Sequence, residues 1–179
     1  MDNKEIKIAS KQIYKGRILD VYVDDVKLPN GNTSKRELIR HCKASAVLAF
    51  DDNNNIILEQ QFRYPYDETI IEIPAGKCDL DEDPKLTAIR ELKEETGYEA
   101  DKIELLGLFY PSVAYTDEII YLYVASSLKK GKQHLDADEN LEYAFIPFDS
   151  FLKMINDGKI KDGKTLAAVA YYLIRNKKA

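Results

Sequence analysis

A helix with both ends written into the chain is the feature that most limits what this sequence can fold into. Asp83 followed by Pro84 is a start signal. Asp caps exposed backbone N–H groups, and Pro at the first helical position gives up an N–H that no helix would use. Thr96-Gly97 is the stop, because glycine readily adopts the left-handed conformation that closes a helix. Between them Leu86, Ile89 and Leu92 recur at helical spacing with Ala88 beside them, and this stripe is expected to face a core. Glu91, Glu94 and Glu95 stand three and four residues apart, which groups their carboxylates along the opposite side. Like charges so placed repel, and something cationic must offset them. Hard oxygen donors of this kind suit Mg²⁺ or Mn²⁺ and the phosphate oxygens those ions hold.

The chain around this helix, at 179 residues, is one domain's worth, or a compact core with a small appendage. It is 45% hydrophobic and 32% charged, an ordinary balance for a globular protein. A net charge of −5 weighs against a nucleic-acid groove as the main binding surface. Cys42 and Cys78 share no motif spacing, and neither reads as half of a disulfide framework. The opening Met-Asp-Asn-Lys-Glu-Ile-Lys lacks the apolar core of a signal peptide, and no apolar run approaches membrane-spanning length. A cytoplasmic protein with neither membrane nor nucleic-acid partners is expected.

Residues 13–28 predict a strand, Pro29-Asn30-Gly31-Asn32 a hairpin turn, and 35–41 the return strand. Together, 1–42 reads as a small N-terminal antiparallel β unit, and 43–179 as the main domain. Runs at 44–50 and 56–63, separated by Asp51-Asp52-Asn53-Asn54-Asn55, read as a hairpin of the central sheet. Further strands are expected at 70–73, 103–109, 118–125 and 141–146, and helices at 148–156 and 165–177. Strands wrapped around one central helix, with a helical C-terminus, give a mixed α/β (α+β) fold with a mixed sheet.

The box from Gly76 to Tyr98 holds a glycine, Glu82, and then Arg90-Glu91-Leu92-x-Glu94-Glu95-x-Gly97. It resembles the signature box of the Nudix hydrolases. That resemblance implies an α/β/α sandwich and a pyrophosphatase that needs Mg²⁺, with Mn²⁺ a possible substitute. It casts Glu91 and Glu95 as direct metal ligands and the carbonyl of Ala75 as a third donor. Glu94 is a further ligand, a bridge through water or a catalytic carboxylate, and Glu82 serves an outer shell or a second metal. Arg90 would buttress the carboxylates.

Two flanking pieces, Gln61-Phe62-Arg63 and Glu72-Ile73-Pro74-Ala75-Gly76, resemble the ADP-ribose pyrophosphatase branch. They imply that Arg63 and Glu72 contact substrate. A planar guanidinium forks onto diphosphate oxygens well, although Arg63 also reads as a surface arginine at a strand end. The acidic stretch Asp136-Ala137-Asp138-Glu139 resembles the branch's catalytic loop, with Glu139 the candidate general base. It is no calcium loop, since Leu141 stands where glycine is needed and Pro147 where glutamate is. The stretch Asp157-Gly158-Lys159-Ile160-Lys161-Asp162-Gly163-Lys164-Thr165 also looks familial and reads as structural, a turn followed by a cap from Thr165 or a neighbour.

The resemblance thus implies hydrolysis of nucleoside diphosphate sugars, ADP-ribose first, to AMP and ribose 5-phosphate, by a homodimer in which 1–42 is the dimerisation element. GDP-mannose or another nucleoside diphosphate derivative is the alternative substrate, and a ligand sensor without turnover the alternative class. The chain leaves the pattern at Ser112-Val113-Ala114, where Ser-Pro-Gly is common, and at Tyr98, where an aliphatic residue is usual.

Overall fold

The computed structural model describes residues 3–135 and 140–177. The chain forms two compact units, Met1–Cys42 with Tyr110–Ile119, and Lys43–Phe109 with Ile120–Ala179.

In the first unit β1 (Ile6–Lys15), β2 (Asp20–Lys27) and β3 (Thr33–Arg40) pair antiparallel in that order. The turn at Pro29-Asn30-Gly31-Asn32 joins β2 to β3 as expected, with Gly31 at φ 89°. The single strand expected over 13–28 is instead the end of β1, a turn closed by Gly16 N–H donating to Leu19 O at 2.9 Å, and β2. All ten residues of β1 are exposed, and its register with β2 shifts twice, so no apolar alternation marks it in the sequence. Residues 110–119 join this unit through an Ile39–Thr116 bridge and through Asp117, which pairs with Arg40 at 2.8 Å.

The second unit is built on β4 (Ala44–Ala49), whose six residues are all buried. Such a run, apolar apart from one serine, suits a strand covered on both faces. Beside it lie β7 (Ala75–Lys77), β9 (Ile120–Lys130) and β8 (Tyr98–Phe109), in the order β7-β4-β9-β8, with β4 and β9 parallel. A second sheet has the order β10 (Leu141–Pro147), β5 (Asn55–Arg63), β6 (Glu68–Glu72). The hairpin expected of 44–50 and 56–63 is therefore not formed. Asp51 turns the chain by accepting from the N–H groups of Asn53 and Asn55, and only the Phe50–Ile56 bridge pairs the two runs before they enter different sheets.

Alternate residues of β4 feed two cores. Ala44, Ala46 and Leu48 pack with Phe148 and Phe151 of α2 (Phe148–Asn156) and Ala168 and Val169 of α3 (Gly163–Asn176). Val47 and Ala49 pack with Ala88 and Leu92 of α1 (Pro84–Thr96). Helix α2 has its expected bounds. Helix α3 begins earlier than Thr165, because Asp162 is the cap and accepts from both the N–H and the hydroxyl of Thr165. Strand β8 begins at Tyr98, directly after α1, whereas 103–109 was expected.

The ends of α1 are those the sequence marks. Asp83 accepts from Lys85 N–H at 2.7 Å, and Gly97 closes the helix at φ 76°. Its buried face differs from the expected stripe. Leu86 is exposed and Ile89 only part-buried, while Thr87, Ala88, Glu91, Leu92, Glu95 and Thr96 are buried. Two of the acidic residues therefore point inward with the apolar ones rather than away from them.

Candidate active site

Strand β7 and helix α1 bring the box together. Buried Ser45 of β4 donates to Pro84 O at 2.6 Å, tying the helix start to the central strand. Ala75 N–H donates to Glu95 Oε2 at 2.9 Å, which fixes one carboxylate on the β7 backbone. Gly76 admits the other: a Cβ there would lie 1.9 Å from the Glu91 carboxyl carbon and Oε1. Glu91 and Glu95 thus converge on the Ala75–Gly76 dipeptide, and only a glycine leaves room for the first of them.

Arg90 supplies the cation that these acids require. Its Nη1 meets Glu91 at 2.8 Å and Glu94 at 2.9 Å, its Nη2 meets Glu82 at 3.0 Å and Lys77 O at 3.1 Å, and its Nε meets Glu82 at 3.1 Å. Glu82 above all, with Glu91 and Glu94, holds the Arg90 pKa well above its ordinary value against the opposing effect of burial. Glu82 also accepts from Asp79 N–H and Thr87 Oγ1. Hydrogen bonding from Arg90 above all, with Asp79 N–H and Thr87 adding to it, pulls the Glu82 carboxyl down to about 2. Both Glu82 oxygens are therefore engaged in holding the guanidinium, whereas Glu94 is more open, with its side chain 39% exposed.

Three bonds tie the segment after β9 to the end of α1. Gly131 N–H donates to Gly97 O, Gln133 Nε2 to Glu95 O and His134 N–H to Glu94 O, at 2.6, 2.5 and 2.8 Å. They satisfy carbonyls that a helix end leaves without partners. Glu139 lies outside the described residues.

Arg63, opposite Glu68 at the end of β5, reaches back along the ladder to Glu72 of β6. The guanidinium forks onto the carboxylate, Nε to Oε1 and Nη2 to Oε2, each at 2.7 Å. Burial pulls the Arg63 pKa down, but Glu72, with Asp162 and Glu95 beyond it, raises it overall. Arg63 is thus within electrostatic reach of Glu95.

The donor set fits a hard divalent cation. Among the described residues no three His, Cys, Asp or Glu side chains close around one point. Two carboxylates and the Ala75 carbonyl would make an open set, which suits Mg²⁺ because that ion keeps several waters and binds phosphate oxygens besides.

Some of the machinery is carried by residues that sequence reasoning left aside. Thr87 steadies Glu82, Gln133 bonds the helix end, and Thr165 Oγ1 accepts from Ile73 N–H at 3.0 Å, holding the approach to Ala75. Thr165 had a signal, its place in a familial stretch, but a capping role absorbed it.

A family model, the NUDIX domain, matches residues 40–169, and the nucleoside diphosphate sugar hydrolase N-terminal domain matches residues 5–39. The chain belongs to the NUDIX family. It is 46% identical over 170 residues to the methanol dehydrogenase activator of Bacillus methanolicus, covering 94% of this chain and 92% of that one. To the ADP-ribose pyrophosphatase of Bacillus subtilis (strain 168) it is 43% identical over 174 residues, covering 96% and 94%. The crystal structure of an ADP compounds hydrolase superposes with a TM-score of 0.85 at 21% identity, over 97% of this chain and 93% of that one, and so shares the fold.

Proposed function

We propose that the protein is a Mg²⁺-dependent pyrophosphatase of nucleoside diphosphate sugars, acting foremost on ADP-ribose to give AMP and ribose 5-phosphate. One observation carries this reading: buried Glu91 and Glu95 converge on Ala75–Gly76 with Arg63 in electrostatic reach. Glu91, Glu95 and Ala75 O would hold the cation. The ion supplies charge neutralisation at phosphate oxygens and a lowered pKa for water. Arg90, fixed by Glu82, keeps Glu91 and Glu94 oriented, and in this reading Glu82 is an anchor for Arg90 rather than a ligand. Arg63 would receive the diphosphate. Water adds to one phosphorus, the anhydride P–O bond breaks, and the water's proton passes to a carboxylate, with Glu139 the candidate and Glu94 the described alternative.

A substrate panel of ADP-ribose, GDP-mannose, NADH and diadenosine polyphosphates, with Mg²⁺ or Mn²⁺, tests this. Release of AMP from ADP-ribose at the highest kcat/KM is expected. Preferred release of GMP from GDP-mannose would move the assignment to that sugar, and no turnover of any would leave a ligand sensor. The 46% identity to a methanol dehydrogenase activator favours a second reading, action on a dehydrogenase, tested by adding the protein to a methanol dehydrogenase assay.

A cytoplasmic homodimer joined through the N-terminal unit belongs to the same proposal. Strand β1 leaves Ile6, Ile8, Ile13 and Tyr14 exposed at the edge of its sheet, a surface that a second copy would cover. Analytical ultracentrifugation of Ile8→Lys against the wild type reads this directly, with a shift to monomer expected. No helix among the described residues is long and apolar enough to cross a membrane.

A further inference from the structure

Lys164 is buried, an unusual place for an ammonium. Its Nζ pairs with Glu72 Oε2 and stands 3.1 Å from Asp162 Oδ1. Glu72 Oε2 also accepts from Arg63 Nη2, so this one oxygen is shared between two cations. Directly across the ladder from Glu72 lies Glu59, a second buried carboxylate. Like charges opposite each other in a sheet repel, so the position demands positive charge. The bonds to Glu72 use Nε and Nη2 of Arg63; among the described residues Nη1 makes no hydrogen bond, and it is the edge left for an anion.

The formal charges of Arg63, Lys164, Glu72 and Asp162 cancel among themselves, with the Glu59 carboxyl across the ladder beyond that count. Without Lys164 those residues carry −1 beside Glu59, and Glu72 is left to bind Arg63 alone. Both changes oppose an incoming diphosphate, one through the local potential and the other by drawing the guanidinium back.

We propose that Lys164 is a positioning residue for diphosphate recognition: by sharing Glu72 it keeps Arg63 available and offsets the carboxylates beside it. This rests on Arg63 being a substrate contact, as the proposed function has it. Lys164 acts through Glu72 and Arg63 and touches no reacting atom, so its effect falls on KM.

Steady-state kinetics on ADP-ribose with saturating Mg²⁺ test it, on the wild type, Lys164→Met, Lys164→Arg and Asp162→Asn. Lys164→Met is expected to raise KM about tenfold with kcat within about twofold, and Lys164→Arg to restore most of the loss. Asp162→Asn keeps a good helix cap but removes a negative charge, so KM is expected to fall about threefold. That sign is decisive, because damage to the fold does not tighten binding. Wild-type KM in Lys164→Met, or a raised KM in Asp162→Asn, overturns the role of Lys164 while leaving the enzyme assignment standing. Should Lys164→Met not fold, the direction of the Asp162→Asn shift decides alone. A wild type that turns over no ADP-ribose refutes the substrate assignment itself, and the role of Lys164 falls with it.

Discussion

Replacing Gly76 with alanine should separate folding from catalysis in this protein. The added Cβ would meet the Glu91 carboxyl carbon and Oε1 at 1.9 Å and Oε2 at 2.3 Å, less than any contact that real atoms tolerate. The obstructing atoms are the end of a flexible side chain, so the backbone can stay and the carboxylate must swing away. An off-rotamer side chain costs about 1 kcal/mol. Losing the charge-assisted bond from Arg90, now 2.8 Å from Glu91, costs about 1.5–3 kcal/mol. The sum, about 2.5–4 kcal/mol, corresponds to a Tm lowered by about 5–16 °C for a chain of this size. Activity should suffer far more. Disturbing groups that merely orient metal ligands costs about 10–100-fold, so displacing Glu91, a direct donor in the proposed function, should cost at least about 100-fold.

The assay is thermal unfolding by circular dichroism alongside AMP release over a Mg²⁺ titration. A second variant sharpens it: Gly76→Ala with Glu91→Asp shortens the acid by one methylene, relieving the clash without restoring the donor position. Stability should recover in part while turnover does not. Full activity in Gly76→Ala with an unaltered Mg²⁺ dependence would refute the argument that Glu91 must stand against the β7 backbone.

Glu95→Gln keeps an oxygen for the Ala75 N–H but loses the negative charge, so kcat should fall at least about 100-fold with an unchanged circular dichroism spectrum. The Glu82 carboxyl is depressed to about 2 from 4.5, so its stabilising contribution is present above the unfolded value and is lost as pH falls from about 4.5 towards 2. Urea unfolding should therefore find Glu82→Gln less stable than the wild type at pH 7, with the gap closing through that window. A gap that is constant with pH would place the effect in packing instead. Gly97→Ala puts a side chain at φ 76° with its Cβ 2.7 Å from Gln133 N, and a loss of at least about 1–2 kcal/mol in chemical denaturation is expected.

The ends of α1 were legible because capping is local: Asp83, Pro84 and Gly97 act on backbone within one turn. Its buried face was not. Periodicity assigned Leu86 to a core and Glu91 and Glu95 to the opposite side of the helix, yet the core accepts the acids because β7 and Arg90 meet them there. Strand β1 was hidden for the opposite reason, since a strand exposed throughout buries nothing that could leave an alternating pattern. The two runs 44–50 and 56–63 looked like hairpin partners because proximity in sequence is the only pairing cue a single chain offers. What parts them is a parallel partner, β9, far along the sequence. Lys164 and the three residues around it were visible in three separate stretches but not as a charge cluster, because Arg63 and Glu72 meet Lys164 and Asp162 only through the fold.

Polar burial has one geography in this protein. Apart from Asp24, every buried polar or charged side chain among the described residues lies on, or beside, the path from Glu72 to Gly97. Ser45 holds the start of α1, Thr87 holds Glu82, Thr96 bonds back to Leu92 O, Thr165 holds Ile73, Lys164 holds Glu72, and Glu59 sits across from it. Such groups contribute little net stability, and buried ion pairs are often outperformed by apolar residues of similar shape. Their concentration around one strand and one helix is therefore poorly explained by a need for stability. It is well explained by a need to hold Glu91, Glu95 and Arg63 within narrow limits, since a site must be supported by groups whose own positions are fixed. On that argument, replacing Glu72 and Lys164 together by a methionine pair should leave the fold at least as stable as Lys164→Met alone and the local charge balanced, yet raise KM because Arg63 loses the carboxylate that fixes its guanidinium. Thermal unfolding and KM, measured on the same preparations, separate the two demands.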